Sequence, residues 1–338
     1  MRSDTVSKPC LGMRKAVFEA PVGDDVFGED PSVTMLQKAT AELCGMEEAL
    51  YFPSGTSANL CALGAHCERG HEIICGQDSH IFIYEGGGAS SLLSIAFNTV
   101  NNNADGTMDI EEVESRIRKD DFHHPITGAV AVENTHNIKG GKCLPLDYLS
   151  KLKAMCNRHG LPLHMDGARL WNASAASGLS MKELLKDVDT VSVCYSKGLG
   201  APVGSVLAGP SSFIAKSRRL RKVTGGGMRQ AGLLAAAALY ALEHNFPKMK
   251  EDHRRLEEIR LALSQLPGLD VPHSVDSNIL FFETENNEGP ALVAALEKKH
   301  GLLLGSYGPR RVRITTHPNI GDEDVKRVIE AVSAEMKI

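Results

Sequence analysis

The chain contains 338 residues, of which 42% are hydrophobic and 23% are charged. This balance is typical of folded globular proteins and excludes a largely disordered chain. The formal net charge of −5 argues against a general nucleic-acid partner or an anionic membrane surface. The longest apolar run, 231–242 with one glycine, is shorter than the about 20 residues that span a bilayer. Charged residues at positions 2, 4 and 8 interrupt any apolar signal core, so we expect a cytoplasmic protein.

The first helix that the sequence predicts in detail begins at Pro31. Asp30 can cap its first turn, and proline suits the first helical position because its missing N–H is not needed there. Apolar residues then recur at helical spacing as far as Cys44, and Gly45 can provide the left-handed exit.

Short apolar segments alternate with helical stretches through the first two thirds of the chain. The predicted strands are 49–52, 72–75, 94–100, 129–133, 161–166, 190–194 and 205–208. Residues 129–132 are apolar throughout, as in a strand covered on both faces. The alternation therefore predicts an α/β fold with a mostly parallel sheet and helices on both faces.

The pattern changes after about residue 245. A long Ala- and Leu-rich helix is predicted over 229–245, and Pro247 marks its end. A charged helix (248–266), strands at 278–282 and 312–315, and a helix after Gly321 follow. We therefore predict an N-terminal arm (1–15), a large domain (16–245) and a smaller C-terminal α/β domain (246–338).

Three segments at strand ends carry residues suited to chemistry. The first, 53–59 (PSGTSAN), places small residues between a strand and a helix, where exposed N–H groups and the helix dipole favour an anion. A capped turn without a ligand is the alternative interpretation. Neither of the common nucleotide-binding glycine motifs occurs in the chain.

The second segment, 164–169 (HMDGAR), ends a predicted strand with Asp166. An acid at the carboxyl end of a buried strand lies where open α/β sheets bind ligands. A structural salt bridge with Arg169 is the alternative. His164 and Asp166 also suggest a metal site, but a third ligand is missing, so we predict no metal.

The third segment, 193–204, places Lys197 between an apolar strand and a glycine-rich bend. A lysine is usually a solvated surface residue, but a lysine facing a cleft can lose its proton and form a Schiff base. An anion cradle, a strand-end carboxylate and such a lysine together match what pyridoxal phosphate requires. The sequence therefore favours pyridoxal 5'-phosphate as cofactor.

In these and in further segments, the sequence resembles the L-threonine aldolases, in the beta-eliminating lyase group of fold-type-I pyridoxal-phosphate enzymes. The matching segments are RSDTV (2–6), PVGDDVFGEDP (21–31), FPSGTSAN (52–59), GQDSH (76–80), ENTHN (133–137), HMDGAR (164–169), SKGLGAPVG (196–204), TGGGMRQ (224–230) and RITTH (313–317). They occur in order along nearly the whole chain. The resemblance implies an aspartate-aminotransferase-like fold with a mixed, mostly parallel central sheet and a smaller C-terminal α/β domain.

The resemblance also implies roles for individual residues. Lys197 would form the Schiff base, Asp166 would pair with the pyridine nitrogen, and His80 would lie over the ring. The residues implied at the phosphate are Gly55 and Thr56, joined from a neighbouring subunit by Arg229 and Lys222. The residues implied at the ring hydroxyl and the substrate carboxylate are Ser3, Arg169 and Arg313. A dimer-of-dimers homotetramer follows from the same resemblance.

The implied reaction is reversible cleavage of threonine or allo-threonine, or of other β-hydroxy-α-amino acids, to glycine and an aldehyde. The base that removes the β-hydroxyl proton would be His80, His123 or a water between them, a choice that the sequence leaves open. β-Elimination or transamination on the same scaffold, and a non-catalytic cofactor-binding protein, are the alternatives. Because RSDTV follows Met1 directly, we expect Ser3 to be weakly anchored.

Overall fold

The structure of the protein is a computed structural model that describes residues 1–286 and 288–336. The strands of the larger sheet are β1 (Glu48–Phe52), β2 (Glu72–Gly76), β3 (Ala96–Val100), β4 (Thr127–Glu133), β5 (Leu163–Gly167), β6 (Thr190–Cys194) and β7 (Ser205–Gly209). The strands of the smaller sheet are β8 (Leu269–Asp270), β9 (Ile279–Thr284), β10 (Gly305–Ser306) and β11 (Arg311–Thr315). Every strand that the sequence predicts is therefore formed, with ends shifted by up to two residues.

Helices separate most of these strands. They are α1 (Leu11–Phe18), α2 (Pro31–Cys44), α3 (Gly55–His66), α4 (His80–Ile83), α5 (Gly88–Leu93), α6 (Ile110–Arg116), α7 (Leu146–Arg158), α8 (Leu170–Ser177), α9 (Met181–Leu184), α10 (Ser211–Val223), α11 (Gly232–His244), α12 (Met249–Leu263), α13 (Gly289–His300) and α14 (Asp322–Met336). Short 3-10 helices occur at Asp4–Val6, Asp25–Phe27 and Phe246–Lys248. In the part of the chain that the structure describes, no helix combines the length and the apolar character needed to cross a membrane.

The seven strands of the larger sheet lie in the order β1-β7-β6-β5-β4-β2-β3. Neighbours from β6 to β3 are parallel, whereas β7 is antiparallel to both β6 and β1. Strand β1 therefore runs in the same direction as β6. The carboxyl ends of β1, β2, β4, β5 and β6 meet at one edge, and the predicted mixed, mostly parallel sheet is confirmed.

Apolar residues cover both faces of this sheet. Ile74 and Val130 belong to a cluster that includes residues of α2, α7 and α11, whereas Ile73 and Ala129 belong to a cluster on the opposite face with Leu63 of α3. Successive strand residues point to opposite faces, so a strand covered on both sides is apolar at every position. This explains the continuous apolar segments of the sequence.

Helix α2 has the predicted ends. The Asp30 carboxylate accepts a hydrogen bond from the backbone N–H of Val33 at 3.0 Å, and Gly45 has a left-handed φ of 68°. The second oxygen of Asp30 accepts the N–H of Gly232 at 2.8 Å. One carboxylate thus caps two helices, and α11 begins three residues later than predicted.

The smaller sheet, in the order β10-β11-β9-β8, is antiparallel throughout. It packs on α12, α13 and α14 around a separate apolar cluster that includes Leu256, Leu280, Leu296, Val312 and Val328. The C-terminal part of the chain therefore forms a second α/β unit with its own apolar cluster.

Candidate active site

The candidate active site lies at the edge where the parallel strands end. Asp166 is near the end of β5, Lys197 follows β6, and α3 begins at Gly55 after β1. His80 begins α4 after β2. Because these strands run in the same direction, their carboxyl ends bring residues far apart in sequence to one place.

Two adjoining cavities occupy this edge. A cavity of about 140 Å³ is lined by residues that include Gly55, Thr56, His80, Asp166 and Lys197. A cavity of about 210 Å³ is lined by residues that include Ser3, Arg169 and Arg313, together with His80 and Lys197. The predicted cofactor residues and the predicted substrate residues therefore form two compartments that share one lysine and one histidine.

The anion-binding end of the first cavity is the start of α3. The Ser54 hydroxyl accepts a hydrogen bond from the backbone N–H of Ser57 at 3.1 Å, which leaves the earlier N–H groups of Gly55 and Thr56 for a ligand. A Cβ atom on Gly55 would lie 2.8 Å from the Cys194 sulfur, so the close approach of the helix to β6 requires glycine. This arrangement suits a phosphate group.

Asp166 is buried, and its hydrogen bonds fix its carboxylate. One oxygen accepts the side-chain amide of Asn59 at 3.0 Å, and the other accepts the backbone N–H of Ala168 at 3.0 Å. Asp166 does not pair with Arg169, because Asp4 occupies that guanidinium. The salt-bridge interpretation of Asp166 is therefore wrong, and the carboxylate is available to a cationic ring nitrogen.

Lys197 is half-buried between the two cavities. Among the residues that the structure describes, its ammonium group has no hydrogen-bond or ion-pair partner. Its backbone carbonyl accepts the N–H of Gly200 at 2.8 Å, and Gly200 has a φ of 78°, so the bend after the lysine requires glycine. An amine held at a cavity without a protein partner fits the Schiff-base position. Together with the α3 N-terminus and Asp166, it gives pyridoxal phosphate a matching set of groups.

His80 is held from both its backbone and its ring. Its backbone N–H donates to Glu133 at 2.7 Å, and its Nδ1 lies 3.0 Å from the Glu85 carboxylate. Burial alone lowers the pKa of His80, but the hydrogen bond to Glu85 and the charge of Asp166 outweigh it, so the net shift is upward.

The two arginines of the second cavity are held by the N-terminal segment. Arg169 donates to both oxygens of Asp4, at 2.7 Å each. Arg313 donates from Nη2 to the carbonyl of Arg2 at 2.8 Å and from Nη1 to Asn137 at 2.9 Å. Its Nε is buried and has no partner in the described part of the chain.

Ser3 is anchored, and the expectation of a weakly held residue is wrong. The Met1 carbonyl accepts the N–H of Thr315 at 2.8 Å, which adds the first residue to the edge of β11. Ser3 caps the first 3-10 helix, where its hydroxyl oxygen lies 2.8 Å from the hydroxyl of Thr5 and accepts the Thr5 N–H at 3.2 Å.

Three predicted residues lie away from these cavities in a single chain. His123 lies in an exposed turn after α6, with its Nδ1 2.7 Å from the Asp121 carboxylate. Arg229 is exposed and pairs with Asp24 at 2.9 Å. Lys222 lines a separate groove of about 490 Å³ with arginines of α10. The structure therefore does not bring these three residues to Lys197 within one subunit.

Several residues of the site were not predicted from the sequence. They are Asp4, Asn59, Glu85, Glu133, Asn137 and Tyr307. Four of them lie inside the segments RSDTV, FPSGTSAN and ENTHN that carry the resemblance. Their place in these segments was the signal that could have identified them.

One cluster in the site also offers ligand atoms to a metal. Ligand atoms of His80, Glu85 and Asp166 lie within 4.8 Å of one another. His164 is not part of it, because its Nδ1 lies 2.9 Å from the Thr190 hydroxyl. The Asn59 amide donates to both Glu85 and Asp166, and His80 Nδ1 contacts Glu85 directly, so protein groups already use these ligand atoms.

The comparisons with known proteins agree with this geometry. The sequence profile of the family described as Beta-eliminating lyase matches residues 1–286. The chain belongs to this family. It is 45% identical over 335 residues to the probable low-specificity L-threonine aldolase 2 of Arabidopsis thaliana, covering 97% of this chain and 94% of that one. It is 43% identical over 328 residues to the low specificity L-threonine aldolase of Escherichia coli K12, covering 97% and 96%.

The fold of this family member also matches solved structures. A structure of the threonine aldolase of Leishmania major superposes with a TM-score of 0.86 at 20% identity, covering 99% of this chain and 98% of that one. The predicted fold-type-I architecture is therefore confirmed, and so is the resemblance stated from the sequence segments.

Proposed function

We propose that this chain is a pyridoxal-phosphate-dependent lyase that cleaves threonine and allo-threonine reversibly to glycine and acetaldehyde. Other β-hydroxy-α-amino acids would react in the same way. One observation carries the proposal: the cavity lined by Asp166, Lys197 and the start of α3 adjoins a cavity lined by Arg169 and Arg313. The names of the Arabidopsis and Escherichia coli relatives, both low-specificity threonine aldolases, support it.

The residues of the first cavity would hold the cofactor. The N–H groups of Gly55 and Thr56 bind its phosphate, and the carboxylate of Asp166 keeps its ring nitrogen protonated. When bound, pyridoxal phosphate supplies an aldehyde that bonds to an amine and a ring that accepts electrons from the bond being broken. The amine of Lys197 would hold that aldehyde in the resting enzyme, and the amine of the substrate would take its place while Lys197 keeps its own nitrogen.

The residues of the second cavity would hold the substrate carboxylate. Arg169, which follows β5, and Arg313, which belongs to β11, both line it, and Ser3 adds a hydroxyl. Two guanidinium groups on one carboxylate restrain rotation at the α-carbon, which decides which of its bonds is broken. The Cα–Cβ bond is the one that an aldolase must select.

A base must take the proton of the β-hydroxyl group while this bond breaks. His80, His123 or a water between them would accept it, the three candidates that the sequence leaves open. Within one subunit, His80 lines both cavities whereas the side chain of His123 is 66% exposed in its turn. The local geometry therefore favours His80, and residues of a neighbouring subunit would complete the site around His123.

Assembly as a dimer of dimers is part of the proposal. Large apolar side chains are strongly exposed on the single chain, including Leu11 (84%), Phe18 (88%), Phe27 (74%) and Val223 (81%). Such residues are typical of a surface that another protein covers. Lys222 precedes Val223 in α10, and Arg229 donates to Asp24, which caps the 3-10 helix that ends at Phe27. From these positions Lys222 and Arg229 would reach the phosphate of a neighbouring subunit.

The division into an arm (1–15), a large domain (16–245) and a small domain (246–338) is proposed for the same molecule. The separate apolar cluster around the smaller sheet supports the last boundary. A cytoplasmic location is likewise proposed, and fractionation of cells that produce the protein tests it.

A spectrum and a product assay test the function together. The purified protein is expected to absorb visible light through its Schiff base, and addition of glycine should change that spectrum. Threonine should then yield glycine and acetaldehyde in equal amounts. Ammonia and an oxo acid as products would instead indicate elimination, an amino-group transfer to an added oxo acid would indicate transamination, and a cofactor spectrum without products would indicate a non-catalytic relative.

A further inference from the structure

The ring of His80 is tied to a buried carboxylate that the reaction above does not use. Glu85 Oε1 lies 3.0 Å from His80 Nδ1, and the side chain of Glu85 is only 6% exposed. An ionised carboxylate only accepts hydrogen bonds, so Nδ1 must carry the proton in this contact. The other ring nitrogen, Nε2, has no protein partner in the described part of the chain and keeps its lone pair.

Asn59 holds Glu85 in this position. Its amide nitrogen donates to Glu85 at 2.9 Å and to Asp166 at 3.0 Å, and its amide oxygen accepts the hydroxyl of Ser192 at 2.6 Å. The opposite orientation of the amide would place its oxygen against two carboxylates, so the orientation is fixed by chemistry. Asn59 of α3 and the strand residues Ser192 and Asp166 are all buried, which gives Glu85 a rigid support.

We propose that Glu85 is a positioning residue that fixes the Nδ1–H tautomer of His80 and thereby makes Nε2 the nitrogen that accepts the substrate proton. The inference deepens the proposed function and rests on it. No proton leaves Glu85 in this scheme: it orients the ring and stabilises the imidazolium that forms when Nε2 takes the proton.

The charges around His80 agree with this role. Glu85 and Asp166 raise the pKa of His80 against the effect of burial, while Lys197 opposes them. Glu133 binds the backbone N–H of His80 rather than its ring. Burial also raises the pKa of Glu85, against its hydrogen bond to His80. The pKa values of His80 and Glu85 therefore both lie above their ordinary values.

The test compares wild-type holoenzyme with Glu85→Gln. Removal of the charge should lower the pKa of His80, which hydrogen–deuterium exchange at its imidazole carbon measures by mass spectrometry without any turnover. The acidic limb of kcat/KM should move to lower pH by about one unit, and its plateau should fall about tenfold, because a weaker base accepts the proton less readily. Glu85→Asp, which keeps the charge on a shorter side chain, should lie between the two.

Glu114→Gln is the matched control, because Glu114 makes a similar contact of 2.8 Å to His159 on the exposed surface. It should leave both the exchange of His80 and the pH profile unchanged. An unchanged pKa of His80 and an unchanged acidic limb in Glu85→Gln would overturn the proposal, even if the rate falls. If Glu85→Gln does not fold, a wild-type His80 that titrates at or below the ordinary value of about 6.5 overturns it equally.

The two proposals fail in different ways. A wild-type protein that makes no glycine and acetaldehyde from threonine rejects the proposed function, and with it the role of Nε2 as acceptor of the substrate proton. The exchange measurement in that case still shows whether Glu85 controls the protonation of His80.

Discussion

The carboxylate of Asp4 forms two hydrogen bonds of 2.7 Å with the guanidinium group of Arg169, 165 residues further along the chain. Asn278 donates to the same carboxylate at 3.1 Å. The N-terminal segment, the larger sheet and the approach to the smaller sheet therefore meet at one buried acid. Burial alone raises the pKa of Asp4, but the Arg169 guanidinium outweighs it and holds that pKa well below its ordinary range.

Asp4→Asn should destabilise the protein and weaken substrate binding. Removal of one partner from a buried ion pair leaves the other charge unpaired, which costs about 3–5 kcal/mol. Because the folded-state pKa of Asp4 is depressed, this contribution is present above its ordinary value near 3.9 and is lost as pH falls through the folded-state value. Thermal unfolding at pH 7 and titration of the cofactor spectrum with glycine measure the two effects.

The matched control is Glu323→Gln, which removes an exposed partner of Lys326. An exposed pair contributes little to stability because water and salt screen it, so the unfolding midpoint of this variant should stay near that of the wild type. Equal midpoints for Asp4→Asn and the wild type at pH 7 would show that Asp4 does not support Arg169.

Lys197→Ala should lose the visible Schiff-base absorption and all turnover, while the fold remains. The side chain of Lys197 makes no protein hydrogen bond within the described residues, so its removal takes no contact from the core. Borohydride reduction of the wild type followed by peptide mapping identifies the lysine that carries the cofactor. Label on another lysine contradicts the assignment, and Lys197→Arg controls for loss of the positive charge.

Replacement of each histidine by phenylalanine should separate the role of His80 from that of His123. His80→Phe keeps a flat ring over the cofactor and should bind it better than His80→Ala does, but it loses the proton-accepting nitrogen. General-base assistance contributes about 10²–10⁴-fold, so turnover should fall within that range. His123→Phe should bind cofactor normally and change mainly the ratio of threonine to allo-threonine cleavage. Steady-state kinetics on both substrates, with the cofactor occupancy of each variant measured, test these expectations. If His123→Phe behaves like the wild type on both substrates, His123 has no role in the reaction.

Asp252→Asn should stabilise the protein at alkaline pH. Burial raises the pKa of Asp252 to about 7, although Arg255 lies 3.8 Å away. A raised carboxyl pKa costs stability as pH rises from the ordinary value near 3.9 to the folded-state value. The variant should therefore match the wild type near pH 4 and exceed it by about 1–3 kcal/mol at pH 8. Glu251→Gln on the exposed face of α12 is the control, and equal stability of Asp252→Asn and wild type at pH 8 would contradict the prediction.

The sequence predicted the central sheet well because its strands are buried on both faces and therefore apolar at every position. The predicted ends of the strands were less accurate, because they depend on the local backbone conformation. Strand β3 begins at Ala96 rather than at 94, because Ser94 has a left-handed φ of 58°. Strand β5 begins after Pro162, which has no N–H to donate. The two-residue strands β8 and β10 were not predicted, since two residues carry no periodicity.

The site was predictable where one residue type at a strand end has a chemical use, as with Asp166 and Lys197. It was not predictable where a role depends on a partner distant in sequence. Nothing near Arg169 indicates that Asp4 rather than Asp166 is its partner. In the same way, only the folded sheet shows that Asn59 joins Glu85 to Asp166.

The N-terminal segment also determines when the site can be completed during synthesis. The backbone carbonyl of Arg2 accepts a hydrogen bond from Arg313, which lies 311 residues further along the chain. A ribosome translates a segment of that length in about 15–60 s. The residues proposed to hold the cofactor within one subunit lie between 55 and 197, so that compartment can close on a nascent chain much earlier. Asp4 can pair with Arg169 once residue 169 has been translated, but the substrate compartment must wait for Arg313 of β11.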